Sequence, residues 1–176
     1  MNTFSPKDAV TFDVAKGEVR TAGRDRTLLV TSEGLAGLLA EASNPGRRKF
    51  GASVGKSVGS TIAARAGSGL LAGSLEGLTT ELAGELSVRG FGLVSIEQWG
   101  RAIVFHIENS AIGDGDFMAA VLEGALSAMT GKPVFVTSLG SGRHLFSGEA
   151  AAARAKEMVG GGADYRAVLL KLQERS

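Results

Sequence analysis

The chain of 176 residues contains no cysteine. Disulfides, thiolate zinc sites, iron–sulfur clusters and a cysteine nucleophile are therefore excluded. Histidine is scarce: two residues cannot build a histidine-rich metal site. Neither sign of charge prevails, with 19 Lys and Arg against 18 Asp and Glu and a formal net charge of +1. Such a balance supplies no broad electrostatic drive toward nucleic acid or an anionic membrane. No apolar run approaches the ~20 residues that span a bilayer. Residues 1–18 lack the basic-then-apolar order of a secretory leader. The expectation is a cytoplasmic protein with no membrane span, no nucleic-acid partner, no metal and no cofactor.

What is present suits a folded domain. Apolar residues make up 44% of the chain, and the length permits one core. One domain is expected over 1–176, with its core at about 10–148 and a helical extension at 149–176. Glycine is the unusual component, with 26 residues, about twice ordinary usage.

Residues 10–20 alternate loosely and turn at Lys16-Gly17, as a short hairpin would. Arg24 to Val30 ends in a small apolar run that suggests a strand. Thr31 or Ser32 caps a helix whose apolar face is Leu35, Leu38 and Leu39, and Asn44-Pro45-Gly46 is expected to end it.

The segment 47–67 is the most periodic. Phe50, Val54, Val58 and Ile62 recur every four residues, and so do Gly51, Gly55, Gly59, Ala63 and Gly67. A helix places both series on one side. Three helical glycines cost about 1 kcal/mol each relative to alanine. Close approach of another backbone is the natural compensation, so Gly51, Gly55, Gly59 and Ala63 form a candidate interface, with a homodimer contact as one reading.

A third helix is expected at 70–88. Strands at 91–97 and 101–108 follow, joined around Gln98-Trp99-Gly100. Asp114 or Asp116 caps a helix at 117–130, which Gly131 ends. Strands at 133–139 and 143–147 turn at Gly140-Ser141-Gly142. Helices at 149–159 and 164–173 are separated by three glycines. The fold class is thus α+β: a four-stranded antiparallel sheet packed against a helical layer. An internal echo supports two helix–hairpin units. Leu75-Glu76-Gly77 followed by Gly84 matches Leu122-Glu123-Gly124 followed by Gly131 at the same spacing.

Several strings invite a chemical reading and fail it. Gly51-Ala-Ser-Val-Gly55-Lys56-Ser57 has three residues before its Gly-Lys pair, where a phosphate-binding loop needs four. The tripeptide Arg47-Arg48-Lys49 also replaces the apolar strand such a loop follows. Strict alternation puts His106 with Ala102, Val104 and Glu108, opposite Ile103, Phe105 and Ile107. His144 follows Arg143 at a strand start, and no nucleophile-elbow sequence accompanies either histidine. Glu108, Asp114 and Asp116 do not have calcium-loop spacing, and helix capping accounts for the two aspartates. Glu76 and Glu123 read as helix contacts. The expectation is a protein that binds and does not catalyse.

The residues RDRTLLVTSEGLAGLLAEA (24–42), RRKFGASVGKSVGSTIAARAG (47–67), GFGLVSIEQWGRAIVFHIENS (90–110) and FMAAVLEGALSAMTGKPVFV (117–136) together resemble the 4-vinyl reductase domain. That family belongs to the superfamily of ligand-binding domains from nitric-oxide signalling and Golgi transport. The resemblance covers most of 10–148. It implies either a small hydrophobic ligand held in a sensor or, as in the related TRAPP small subunits, a dimeric adaptor. Many such domains carry zinc-binding cysteines near the C-terminal hairpin, and FVTSLGSGRHLFSGE has none. A small structural component of cellulose synthase has a similar helix-plus-sheet build, and likeness to it implies a structural role. A sensor ordinarily works with an output domain, and none is recognisable here. The first expectation is therefore a non-enzymatic homodimeric adaptor with a protein partner. The alternative is a sensor with an apolar pocket walled by Phe91, Trp99, Phe105, Phe117 and Phe135.

Overall fold

The computed structural model describes residues 4–21, 26–66 and 75–173. The chain begins with α1 (Pro6–Ala9), which leads into β1 (Val10–Asp13), β2 (Glu18–Thr21) and β3 (Arg26–Thr27). These strands form a small antiparallel sheet, with Gly17 turning the first hairpin at φ +63°. Of the described residues of the expected strand, Arg26 and Thr27 are in a ladder and Leu28 to Val30 run outside it. The start of that strand, the start of the third helix at 70–74 and Gly67 lie outside the described residues.

Next come α2 (Ser32–Glu41) and α3 (Asn44–Ala66). The Thr31 side chain accepts the Gly34 N–H at 3.1 Å and caps α2. Leu39 is buried and Leu35 packs on the core, but Leu38 faces solvent. Asn44-Pro45-Gly46 does not simply end α2. It opens α3, where a first-turn proline needs no N–H partner and has a helix-ready φ.

The body then repeats itself. Helix α4 (Leu75–Val88) leads into β4 (Leu93–Trp99) and β5 (Ala102–Glu108). Helix α5 (Gly115–Thr130) leads into β6 (Phe135–Gly140) and β7 (Arg143–Ser147). The four strands make one antiparallel sheet in the order β4-β5-β7-β6, so the hairpins join through their second strands. The expected sheet and its two helix–hairpin units are present. The echoed glycines play different parts, however. Gly84 lies inside α4 against Phe4, whereas Gly131 takes φ +68° and caps α5.

The chain finishes with α6 (Glu149–Gly160) and α7 (Tyr165–Gln173). Alternation along the strands sends Val94, Ile96, Phe105, Ile107 and Val136 toward α3, α4 and α5. It sends Val104, Leu139 and Leu145 toward α6 and α7. Both faces of the sheet are therefore covered, which is why Val104 is buried beside the more polar positions of β5.

The glycine stripe of α3 meets α5. A Cβ on Gly51 would lie 2.7 Å from the Phe117 carbonyl oxygen. On Gly55 it would strike the Val121 carbonyl, and on Gly59 the Ala125 carbonyl. The fit is reciprocal, because a Cβ on Gly124 of α5 would strike the Ala52 carbonyl of α3. The expected close contact exists, but it lies within one chain. The homodimer reading of Gly51, Gly55 and Gly59 gives way, since α5 occupies that surface; Ala63 also packs on the same core.

Gly55→Ala is expected to lower stability by about 2–3 kcal/mol through overpacking, and Tm by on the order of 5–10 °C for a chain of this size. Gly37→Ala, in open space within α2, should raise stability by about 0.5–1 kcal/mol. Thermal unfolding followed by circular dichroism separates the two; a neutral Gly55→Ala contradicts the packing.

Candidate functional site

The two faces of the sheet carry different chemistry. On the face toward α6 and α7, Glu97 of β4 receives two hydrogen bonds from Arg143 of β7, at 2.7 and 3.0 Å. The Trp99 indole N–H donates to the same carboxylate at 3.0 Å. Arg143 also stacks over the Tyr165 ring at 4.7 Å, and Trp99 meets that ring edge-on at 6.0 Å. The Arg143 guanidinium holds the Glu97 carboxyl below its ordinary range, and Glu97 in turn raises Arg143. His106 Nδ1 stands 3.4 Å from Glu97 and 3.6 Å from Glu108. Every member of this cluster has a partner, and it clamps α7 to the sheet.

The opposite face is apolar. Phe91 and Phe117 pack at 6.1 Å between ring centroids, and Phe50 lies 5.8 Å from Phe117. Phe105 meets Phe146 edge-on at 6.4 Å. Of the expected pocket wall, the fold thus gathers Phe91, Phe105 and Phe117 on one face. Trp99 lies on the other, and so does Phe135, two residues before Thr137, whose hydroxyl donates to the Ala152 carbonyl of α6. Those two side chains cannot share a pocket with the first three.

At the edge of the apolar face, an open cleft of about 560 Å³ lies between α4 and β4. Glu76, Thr79, Thr80 and Ala83 line it from α4, Val94 and Ile96 from β4. Glu76, read as a helix contact, is exposed at its mouth, and its carbonyl accepts the Thr80 hydroxyl at 3.0 Å. Glu123, its counterpart in the echo, pairs with Arg48 at 2.8 Å.

From Ile96 a row of directly opposed residues crosses the sheet: Phe105 on β5, His144 on β7 and Ser138 on β6. Opposed residues share a face. His144 is therefore a core residue, 2% exposed, and its Nδ1 finds no hydrogen-bond partner. Burial, with a smaller contribution from His106, pushes its pKa down to about 4. The strand-start reading of His144 missed this; its parity with Phe146 was the available signal.

A second feature was not read at all. Arg65 of α3 pairs with Glu81 and Glu85 of α4, both buried, and stacks over Phe4 at 5.4 Å. The Phe4 N–H donates to Glu81 at 2.8 Å, which ties the N-terminal segment to α4. Glutamates spaced four apart beside Leu82 and Leu86 were the trace of this in the sequence.

The remaining motifs resolve structurally. Lys56 is exposed in the middle of α3, so the Gly-Lys-Ser string is helix and not a loop. The Asp114 side chain accepts the Phe117 N–H at 2.9 Å and pairs with Arg47 at 3.1 Å. Among the described residues no three or more His, Asp or Glu side chains gather where a metal ion could sit. No described helix is long and apolar enough to cross a membrane.

No protein-family model matches the chain, and no curated protein does. A solved structure does: the phenol-responsive sensory domain of the transcription activator PoxR, determined with phenol. The two superpose with a TM-score of 0.62 at 17% identity, over 86% of this chain and 90% of that one. At that identity the likeness establishes a shared fold.

His144 makes stability depend on pH. Between pH 6.5 and about 4 the unfolded chain takes up a proton here that the folded chain refuses. Stability from this group is therefore complete above pH 6.5 and falls as pH falls to about 4, by on the order of 3 kcal/mol in full. His144→Leu should flatten that part of the urea-denaturation profile and leave the protein at least as stable at pH 7, since no hydrogen bond at Nδ1 is lost. An unchanged profile contradicts the assignment.

Proposed function

We propose that the chain is a sensor domain that binds a small, mostly apolar molecule, about the size of one aromatic ring, and that it performs no catalysis. The cleft between α4 and β4 carries this reading. Its volume of about 560 Å³, like those of the chain's other clefts, falls within the roughly 300–1,000 Å³ of small-molecule sites, and its mostly apolar surface is what sets it apart. Ala83, Val94 and Ile96 supply apolar walls, while the threonines and Glu76 give a polar rim. The shared fold with a phenol-responsive sensory domain supports a ligand over a scaffold. The sequence alone put a dimeric TRAPP-like adaptor first. The fold likeness favours the sensor alternative and fits the ligand-binding side of the 4-vinyl reductase resemblance. The absence of catalysis is supported by the placement of His106 and His144, which point to opposite faces of the sheet. A homodimer remains part of the proposal, on a surface other than the glycine stripe.

Phenol and toluene, titrated into isotope-labelled protein, should shift the amide signals of Ala83 and Ile96 saturably, with Kd between about 10 µM and 1 mM, the range open to such small ligands. Ala83→Trp should fill the cleft and abolish the shifts. Absence of saturable shifts with any single-ring compound overturns the reading; binding that survives Ala83→Trp moves the site elsewhere.

A further inference from the structure

A second cleft, of about 490 Å³, lies where the start of β5 and the end of β7 meet the first turn of α6. Ala102, Leu145 and Leu172 give it apolar walls. Arg101, from the β4–β5 turn, and Arg154, from α6, border it as well. At the end of α7 the Gln173 side chain donates to the Trp99 carbonyl at 2.7 Å, which fixes that helix end beside the cleft.

Helix α6 begins at this cleft without a side-chain cap. Its N-cap is Gly148, and its first helical bond runs from the Ala152 N–H to the Gly148 carbonyl at 2.9 Å. The N–H groups of Glu149, Ala150 and Ala151 thus have no acceptor within the helix, and they carry the positive end of its dipole. Many helices start so; Ser147 sets this one apart. It shares strand parity with Leu145 and so faces α6 and the cleft. Its hydroxyl is buried and has no hydrogen-bond partner. A buried hydroxyl left unpaired is a standing cost, which an acceptor placed in the cleft removes.

We infer that this cleft binds a small organic carboxylate, with its acid group at the start of α6 and its apolar body against Ala102, Leu145 and Leu172. The Ser147 hydroxyl, the open N–H groups and Arg154 all donate, and Arg154 pairs with no carboxylate among the described residues. Glu149 borders the same cleft, so the two arginines exceed it by one charge. That excess suits a single negative charge better than the two of a phosphate. The apolar walls favour a ring or a short hydrocarbon chain over an inorganic anion. The cleft lies on the opposite face of the sheet from the α4–β4 cleft and shares no residue with it. It therefore stands or falls independently of the neutral-ligand reading.

Benzoate and hexanoate, titrated into the isotope-labelled full chain, test it. Both should shift the amide signals of Ala150 and Ala151 saturably, with Kd of about 1 mM. Toluene, which has no acid group, should leave those two signals in place. Arg154→Gln should raise Kd by about tenfold. Arg154 is exposed, so this variant keeps the fold. Ser147→Ala should also weaken binding, without lowering Tm, because no hydrogen bond of the free protein is lost. Glu149→Gln should tighten binding by about twofold, since it removes a like charge. Carboxylates that leave Ala150 and Ala151 unmoved, or that shift only Ala83 and Ile96, overturn the inference. So does an Arg154→Gln variant that binds like wild type. Inorganic phosphate that binds as tightly as benzoate, or toluene that shifts the same two amides, overturns the ligand class.

Discussion

Close contact between the backbones of α3 and α5 is the constraint on which the body depends. Gly51, Gly55 and Gly59 on one helix and Gly124 on the other let each backbone press against the carbonyls of its neighbour. No other residue has a side chain small enough for that approach. The helical cost of these glycines, about 1 kcal/mol each, is offset by the dispersion and burial of a tight helix pair. With α3 and α5 locked, Val58, Ile62, Val121 and Leu122 form a continuous interior against the sheet.

That lock also determines where the fold can yield. Helix α5 is buried along most of its length and packs on α3 and β6. Helix α4 is held differently, by a buried ion-pair cluster at Arg65, Glu81 and Glu85 and by the edge strand β4. The cleft opens on this side, beside Val94 and Ile96. The fold thus pairs a half built on backbone contact with a half whose helix borders an open cleft. The second face of the sheet, clamped by Glu97, Arg143, Trp99 and Tyr165, carries a cleft of its own, about 490 Å³, where Ala102 and Leu145 meet α6 and the end of α7.

Much of this was legible in the residues. Period-two alternation located all four strands of the main sheet, and Gly131 marked the end of α5, while its start was narrowed to Asp114 or Asp116, of which Asp114 is the cap. The period-four glycines announced a close contact, but pattern alone cannot say whether the partner helix belongs to the same chain. Asn44-Pro45-Gly46 misled for a related reason, since a proline that stops one helix also starts the next. The expected pocket wall was chosen by residue type: none of Phe91, Trp99, Phe105, Phe117 and Phe135 lines the α4–β4 cleft, and strand parity divides Phe105 from Trp99 and Phe135. His144 and the Arg65 cluster were missed because a lone polar residue in a strand, or a glutamate pair on a helix, reads as surface until the covering elements are known.

The central claim is that this chain holds a small apolar molecule in the α4–β4 cleft. Native mass spectrometry of protein purified gently from its own host tests it most directly. The account predicts a stoichiometric small apolar adduct that is lost in Ala83→Trp. Protein recovered without any adduct, in stable complex with another protein, would contradict it and restore the adaptor reading.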